Sequence, residues 1–252
     1  MKRAWPYLVI VVVLGAAGVG AGYLWKLRNP PPSPAPVVAA PAAPAPAPAP
    51  KPAVAMPPVG DADALMRAAL ERLSGSPLLA AWLKTEDLAR RLVAGVEALA
   101  EGQSPRATWV FLAPAGKFEV ETRNGHSFIS LKSYQRYSGF AGVVASLDAQ
   151  AVGKAYTMVR PLLEAAYQEI GRPGTTFDGR LAAAVKRILD APVTQGPVEV
   201  VASPVIYKFA DPALEALPGA AKHLVRMGPE NQALIQAKVR EIAVAMELGR
   251  PR

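Results

Sequence analysis

The sequence contains no cysteine and only two histidines. Without cysteine there are no disulfides, no thiolate zinc site and no cysteine nucleophile, and two histidines leave little for a histidine-based metal site. The common enzyme motifs are missing as well, since the chain has no GxSxG, HExxH, P-loop or GxGxxG. We therefore predict no metal site, no cofactor and no catalytic residue, which leaves room only for an enzyme of an unusual kind.

Acidic residues are absent before Asp61, whereas that segment holds five basic residues and has 13 prolines between Pro30 and Pro58. The rest of the chain carries 23 basic against 20 acidic residues and is only mildly basic. Proteins that bind nucleic acid strongly usually show a dense basic stripe. The charge pattern therefore predicts no nucleic-acid partner.

Residues 1–28 are predicted to form a membrane anchor. Residues 7–25 read YLVIVVVLGAAGVGAGYLW, nineteen positions without a charge, which is about the length of a helix that crosses a bilayer. Aromatic side chains flank this run at both ends, where the headgroup region favours them: Trp5, Tyr7, Tyr23 and Trp25. The alternative is a cleaved signal peptide ending near Ala21, but the apolar run continues past that point.

The positive-inside rule hardly distinguishes the two orientations of this anchor, because basic residues flank both ends of the run. The segment that follows has the composition of a spacer, which suits the outer side of a bacterial inner membrane. We therefore predict a single-pass protein of that membrane with its C-terminal domain in the periplasm.

Gly18 and Gly22 form a GxxxG pattern inside the predicted span. Such small residues allow two membrane helices to approach closely, and this predicts a weak homodimer. A stripe of small residues that simply faces lipid is the alternative.

Residues 29–60 are predicted to be a linker rich in proline and alanine. Proline removes backbone donors and pushes the preceding residue out of the helical region, so no packed core is expected. Such a chain favours polyproline II, and about thirty residues would span about 90 Å when extended. A role as a spacer is favoured over a role as a PxxP ligand, because Lys51 is the only charge in the run.

Residues 61–252 are predicted to form one domain that is mainly α with a small β component. Apolar positions recur at helical spacing in several segments, which begin at Ala64, Leu88, Val152 and Phe177. Thr85–Asp87 is predicted to cap the segment whose apolar face is Leu88, Leu92, Val96 and Leu99.

Short β elements are predicted at two places. Phe118, Val120 and Ile129 alternate with polar residues around Asn124–Gly125, a strong two-residue hairpin signal. Residues 198–201 and 205–209 are predicted to be two further short strands.

Prolines and glycines mark several helix boundaries. Pro161 lies inside a long periodic segment and should kink it or start a new helix. Asp211–Pro212 is typical of a helix start, and Gly228–Pro229 ends one helix and begins the last, whose predicted face is Ile235, Val239, Ile242 and Met246.

Five strings between Ser133 and Asn231 carry a family resemblance: SYQRY, VVASLDA, RPLLEAAYQEIG, YKFADPALEAL and RMGPEN. With them, the chain resembles an uncharacterised family of bacterial single-pass membrane proteins, classed as a domain of unknown function. The resemblance covers most of residues 61–240, and the anchor and proline-rich spacer fit the family's usual layout. It implies no chemistry and no site residue.

Three strings combine aromatic or amide groups with basic side chains, as binding hot spots often do. They supply the candidate recognition residues Tyr134, Arg136, Tyr137, Tyr207, Lys208, Arg226 and Asn231. Tyrosines in a domain with few aromatics also fill cores, so packing is the alternative for the first two strings. The third, at residues 226–231, would either hold an anion at a helix start beside Arg226 or form a simple corner between helices.

Neither His126 nor His223 lies in a catalytic pattern, and Glu164, Glu169 and Asp178 are spaced as helix-surface charges. We therefore predict a tethered binding or scaffolding module whose partner is an unknown envelope protein or cell-wall polymer. The alternative is an envelope enzyme that acts on such a polymer through acidic residues that the sequence does not identify.

Overall fold

The computed structural model describes residue 57 and residues 59–110, 113–114, 116–171 and 173–248. The predicted span at residues 7–25, with Gly18 and Gly22, and nearly all of the predicted linker lie outside these residues. Among the described residues, no helix combines the length and apolar character that crossing a membrane requires.

The described residues form a mainly helical fold with one small sheet, so the predicted fold class is confirmed for this part of the chain. The helices are α1 Val59–Leu70, α2 Pro77–Leu83, α3 Leu88–Ala100, α4 Leu131–Gln135, α5 Ser138–Ser146, α6 Ala149–Ile170, α7 Phe177–Leu189, α8 Pro212–Glu215, α9 Gly219–Met227 and α10 Pro229–Ala245. A 3-10 turn covers Pro105–Ala107, and the strands are β1 Val120–Arg123, β2 His126–Ile129, β3 Glu199–Ala202 and β4 Tyr207–Phe209.

The main core lies between α1, α3, α6 and α7, which pack on one another. The apolar face predicted for α3 points into it, with Leu88 fully buried and Leu99 nearly so. Tyr167 of α6 and Phe177 of α7 meet there with ring centroids 6.2 Å apart. Full burial of each large side chain is worth about 1.5–3 kcal/mol, so this helical layer contributes strongly to the stability of the fold.

The start of α3 differs from the prediction. Asp87 adopts a left-handed conformation with φ 60° and its side chain does not cap the helix. The buried carboxylate of Asp63 in α1 accepts the N–H groups of Asp87 and Leu88 instead, both at 2.8 Å. The predicted local cap is wrong because a residue 24 positions earlier satisfies the amides that a cap would bind.

The four strands form an antiparallel sheet in the order β1-β2-β3-β4, and helices α4 to α7 lie in the chain between β2 and β3. The predicted hairpin is confirmed, with Asn124 and Gly125 at φ 51° and 82° in its two-residue turn. Strand β4 begins later than predicted, because Ser203 N–H donates to the carbonyl of Ile206 at 2.9 Å and closes a turn that includes Val205 and Ile206.

Helix α6 is continuous over 22 residues, with Pro161 in its interior. The structure therefore contradicts a new helix start at Pro161.

The boundary at Gly228–Pro229 is confirmed: α9 ends at Met227 and α10 begins at Pro229. Gly228 has φ 89°, and the ring of Tyr134 lies so close that a Cβ atom there would be 2.6 Å from its Cγ. This close approach fixes α4 against the corner between α9 and α10.

Candidate functional site

A basic and aromatic cleft of about 420 Å³ opens where the sheet meets α4, α5 and α9. Its walls come from five separate parts of the chain, which meet only in the folded domain. We call it the arginine cleft; its described lining is Arg106, Pro114, Gly116, Phe118, Arg136, Tyr137, Val205, Ile206, Tyr207 and Arg226.

Four of the seven candidate recognition residues line the arginine cleft: Arg136, Tyr137, Tyr207 and Arg226. Lys208 is exposed, whereas its strand neighbours Tyr207 and Phe209 turn inward. Side chains alternate between the two faces of a strand, so Lys208 lies on the opposite face from Tyr207.

Arg136 is held in place before any ligand arrives. Its Nε donates to the carbonyl of Ser133 at 3.1 Å and its Nη1 to the carbonyl of Gly116 at 3.3 Å. Its guanidinium also lies 5.6–5.7 Å from the ring centroids of Phe118 and Tyr137, within the range of cation–π attraction. An arginine fixed in this way loses little side-chain entropy on binding a further group.

Arg226 is fixed by similar contacts from the opposite wall. Its guanidinium carbon lies 4.8 Å from the ring centroid of Phe209, and its Nη2 donates to the carbonyl of Tyr207 at 3.0 Å. Tyr207 in turn packs against Phe118, with ring centroids 5.4 Å apart. The two arginines are thus joined through one aromatic cluster.

Arg106 is the third cation of the cleft, and it is not among the residues that the sequence predicts for recognition. Its side chain is exposed on the 3-10 turn, which begins at the buried Pro105 and whose Pro105 carbonyl accepts the Trp109 N–H at 2.8 Å. The ring of Trp109 lies against α3, where a Cβ atom on Gly95 would meet it at 2.1 Å, and its Nε1 donates to the carbonyl of Arg91 at 3.1 Å. No sequence pattern surrounds Arg106, because only these distant contacts bring it to the cleft.

The three guanidinium groups of the cleft form no ion pair with any carboxylate of the described residues. Arg226 contributes only weakly to the lowered pKa of Glu215, whose carboxylate accepts the Phe209 N–H and pairs with Lys222 at 3.1 Å. Each guanidinium has five N–H donors. Arg136 uses Nε and Nη1 and Arg226 uses Nη2 in the contacts above, so most of their donors have no fixed acceptor among the described residues.

His223 lies close enough to the cleft for its pKa to depend on Arg106 and Arg226. Its Nδ1 lies 2.7 Å from Ser104 Oγ, and its ring meets Tyr137 edge-on at 5.9 Å. Burial, and to a smaller extent repulsion from Arg106 and Arg226, together lower the pKa of His223 to about 4. A neutral imidazole with so low a pKa is a weak base near neutral pH, so the pairing with Ser104 does not resemble an activated nucleophile.

Burial also raises the pKa of the Tyr137 phenol, whereas Arg136, Arg106 and Arg226 oppose that rise by favouring the phenolate. Tyr137 therefore remains a neutral hydroxyl at ordinary pH.

Tyr134 and Asn231 line a different cleft, of about 300 Å³, beside the start of α10. The Asn231 amide donates to the carbonyls of Tyr134 at 2.9 Å and Met227 at 2.8 Å, which ties α4 to the helix corner. The Tyr134 hydroxyl is buried without a hydrogen-bond partner among the described residues, and burial raises its pKa to about 12. Arg226 lines the arginine cleft, whereas Asn231 lines this second cleft.

The carboxylates considered for catalysis are engaged in structural contacts. Glu169 pairs with Arg90 at 2.5 Å, Asp178 with Arg160 at 2.7 Å, and Glu164 accepts the N–H of Phe177 at 2.8 Å. Within the described ranges, histidine and acidic side chains form no group of three or more that could hold a metal ion.

Comparison with known proteins gives one match. Residues 88–243, more than half of the chain, match the family described as "Protein of unknown function (DUF3014)". The chain belongs to this family. The matched region includes all three arginines of the cleft, and it starts at the first residue of α3. No curated protein and no solved structure shows a significant match to the chain.

Proposed function

We propose that this chain is a recognition module of the bacterial cell envelope, and that the arginine cleft binds an anionic group of its partner. The observation that carries the proposal is the convergence of Arg106, Arg136 and Arg226 without a pairing carboxylate among the described residues. Guanidinium forks match the geometry of carboxylate and phosphate groups, and fixed arginines beside aromatic rings are typical of binding hot spots.

The proposed module is tethered to a membrane. Residues 7–25 would span the bacterial inner membrane once, and residues 29–60 would give the domain in the periplasm a reach of up to about 90 Å from that anchor. Tethering raises the effective concentration of a domain near its target, so a shallow cleft with modest affinity is sufficient.

An envelope enzyme that acts on a cell-wall polymer is the alternative function. The single observation in its favour is the contact between Ser104 and His223. It is weaker support than the cleft, because the low pKa of His223 disfavours general-base catalysis.

Co-purification of the full-length protein from membranes tests the recognition role. We expect Arg136→Gln and Arg226→Gln to lose the co-purified partner at a temperature well below the melting temperature of each variant, which is measured in parallel because both side chains also give up structural contacts. Lys208→Gln removes an equal charge from the opposite face of β4 and should retain the partner. If all three variants behave alike, the arginine cleft is not the recognition site.

Protease treatment of spheroplasts tests the proposed orientation. The C-terminal domain should be digested while a cytoplasmic marker remains protected. Protection of both would place the domain on the cytoplasmic side.

A further inference from the structure

The turn between β3 and β4 presents two branched aliphatic side chains to solvent beside the arginine cleft. Val205 is 89% exposed and Ile206 is 56% exposed, and both line the cleft rim. They stand at the end of a hairpin that is closed by the Ser203–Ile206 hydrogen bond, so their position is defined. Exposed aliphatic side chains are unfavourable in water, and adjacent ones at a defined position are typical of a surface that contacts an apolar phase or partner.

The polar side chains that line the cleft are mainly hydrogen-bond donors with a positive charge. Of the described residues that line it, none carries a carboxylate, an amide or an aliphatic hydroxyl; the polar side chains are three arginines and two tyrosines. The carbonyls of Gly116 and Tyr207 already accept hydrogen bonds from Arg136 and Arg226. A sugar polymer or a peptide backbone needs acceptors as well as donors, whereas an anionic headgroup attached to hydrocarbon needs only guanidinium donors and apolar neighbours.

We propose that the arginine cleft and the Val205–Ile206 tip together dock onto a bilayer surface that contains anionic phospholipid. The headgroup phosphate occupies the cleft between the arginines, and the tip enters the boundary between headgroups and acyl chains. This inference rests on the proposed function, since it names the anionic partner of the same cleft. The two contributions are complementary because stable attachment to a membrane usually needs both a charge term and an apolar term.

The expected strength follows from general membrane electrostatics. Each arginine near an anionic surface changes the docking equilibrium about fivefold. An acidic residue at the tip, as in Ile206→Asp, should cost about tenfold or more, because it removes the apolar contact and repels anionic headgroups. Raising the salt concentration should weaken docking, since the charges are near the surface.

The absence of cysteine makes a direct test possible, because Val205→Cys creates a unique site for an environment-sensitive fluorophore. The labelled full-length protein is studied in vesicles of phosphatidylcholine and in vesicles of phosphatidylcholine mixed with phosphatidylglycerol. We expect the label to become protected from a water-soluble quencher only in the mixed vesicles. A label at Val244→Cys, which replaces a 74% exposed side chain of α10 outside the cleft, should remain accessible in both.

Charge variants separate cleft binding from general attraction. Arg106→Gln is the cleanest test because the Arg106 side chain makes no hydrogen bond to the described residues. It should weaken the docking equilibrium, measured by the fluorophore at residue 205, about fivefold. Lys208→Gln removes an equal charge elsewhere and should have a smaller effect. An equal effect of the two variants would overturn the proposal.

Two further outcomes decide between this inference and the proposed function. If a soluble oligoglutamate changes the 205 label and anionic vesicles do not, the cleft recognises an acidic protein segment, and lipid docking is wrong while the recognition role stands. If neither probe acts on the label and the arginine variants still co-purify the wild-type partner, both proposals fail.

Discussion

Gly228 adopts a backbone conformation that is almost confined to glycine, with φ 89° and ψ 156°. The position also faces the ring of Tyr134, which leaves no room for a side chain. One residue therefore sets both the direction of α10 and the position of α4, whose C-terminal side leads into Arg136.

Gly228→Ala should lower the free energy of unfolding by about 2–4 kcal/mol, because backbone strain and overpacking add. Urea denaturation measures this change. Gly125→Ala is the matched control, since Gly125 also has a positive φ of 82° but has no atom within 4 Å of the added Cβ. It should cost about 1 kcal/mol, the strain alone. Equal losses in both variants would show that the contact with Tyr134 is unimportant.

His223 makes stability depend on pH. Its pKa is lowered to about 4 in the folded domain, whereas an unfolded histidine titrates near 6.5. The unfolded chain therefore binds the proton more readily. Above about pH 6.5, His223 does not reduce the free energy of unfolding. As the pH falls from there toward 4, the free energy of unfolding decreases, by up to about 3 kcal/mol in total.

His223→Gln should remove this loss, so that its free energy of unfolding changes less between about pH 7 and pH 5 than that of the wild type. His126→Gln, at the exposed histidine, provides the comparison. Proton NMR checks the titration directly because the chain has only two histidines. A His223 resonance that titrates near its ordinary value would contradict the expected burial.

At the scale of secondary-structure elements, polar side chains from one helix complete the ends of another. Asp63 of α1 supplies the cap of α3, and α10 completes the end of α7. In that second case the Gln232 amide donates to the carbonyls of Ala191 and Pro192, and the Gln236 amide donates to those of Ile188 and Ala191. These helix ends are stable only while their partners are packed on them, so the helices should unfold together.

Asp63→Ala should lower the free energy of unfolding by about 2–4 kcal/mol, because two N–H groups, one buried and one partly buried, lose a charged acceptor. Thermal and urea unfolding both measure the loss. Asp61→Ala, at an exposed position in the first turn of the same helix, should change stability by less than about 0.5 kcal/mol. A cap role for Asp87 would predict the reverse, with Asp63→Ala nearly neutral.

At the scale of the whole molecule, every described core cluster lies at or beyond Ala62. We expect residues 52–252 alone to form a soluble, mainly helical domain that unfolds in one cooperative transition. Circular dichroism and calorimetry test this. A spectrum dominated by strand, or a need for residues 29–51 to fold, would contradict it.

The proline-rich segment should matter for the cellular role and not for the fold. Deleting residues 34–52 shortens the predicted reach while removing no described core residue. We expect a loss of partner recovery from membranes with an unchanged melting temperature of the domain. Normal recovery by the shortened protein would show that reach is not required.

Much of the fold follows from the sequence alone, because it depends on interactions between residues a few positions apart. Asn124–Gly125 determines its hairpin through the positive φ angles that only a few residues adopt easily. The periodic apolar face of α3 and the Gly228–Pro229 boundary are local in the same sense.

The arginine cleft, by contrast, forms only when distant parts of the chain pack together in the tertiary structure. Arg136 and Arg226 stand out in the sequence because aromatic or helix-boundary residues surround them, but nothing near Arg106 distinguishes it from a solvent-exposed charge. The contact of Trp109 with Gly95 brings Arg106 to the cleft, just as the packing of α1 brings Asp63 to the start of α3. Such contacts depend on how whole elements pack, and short-range propensities carry no information about them.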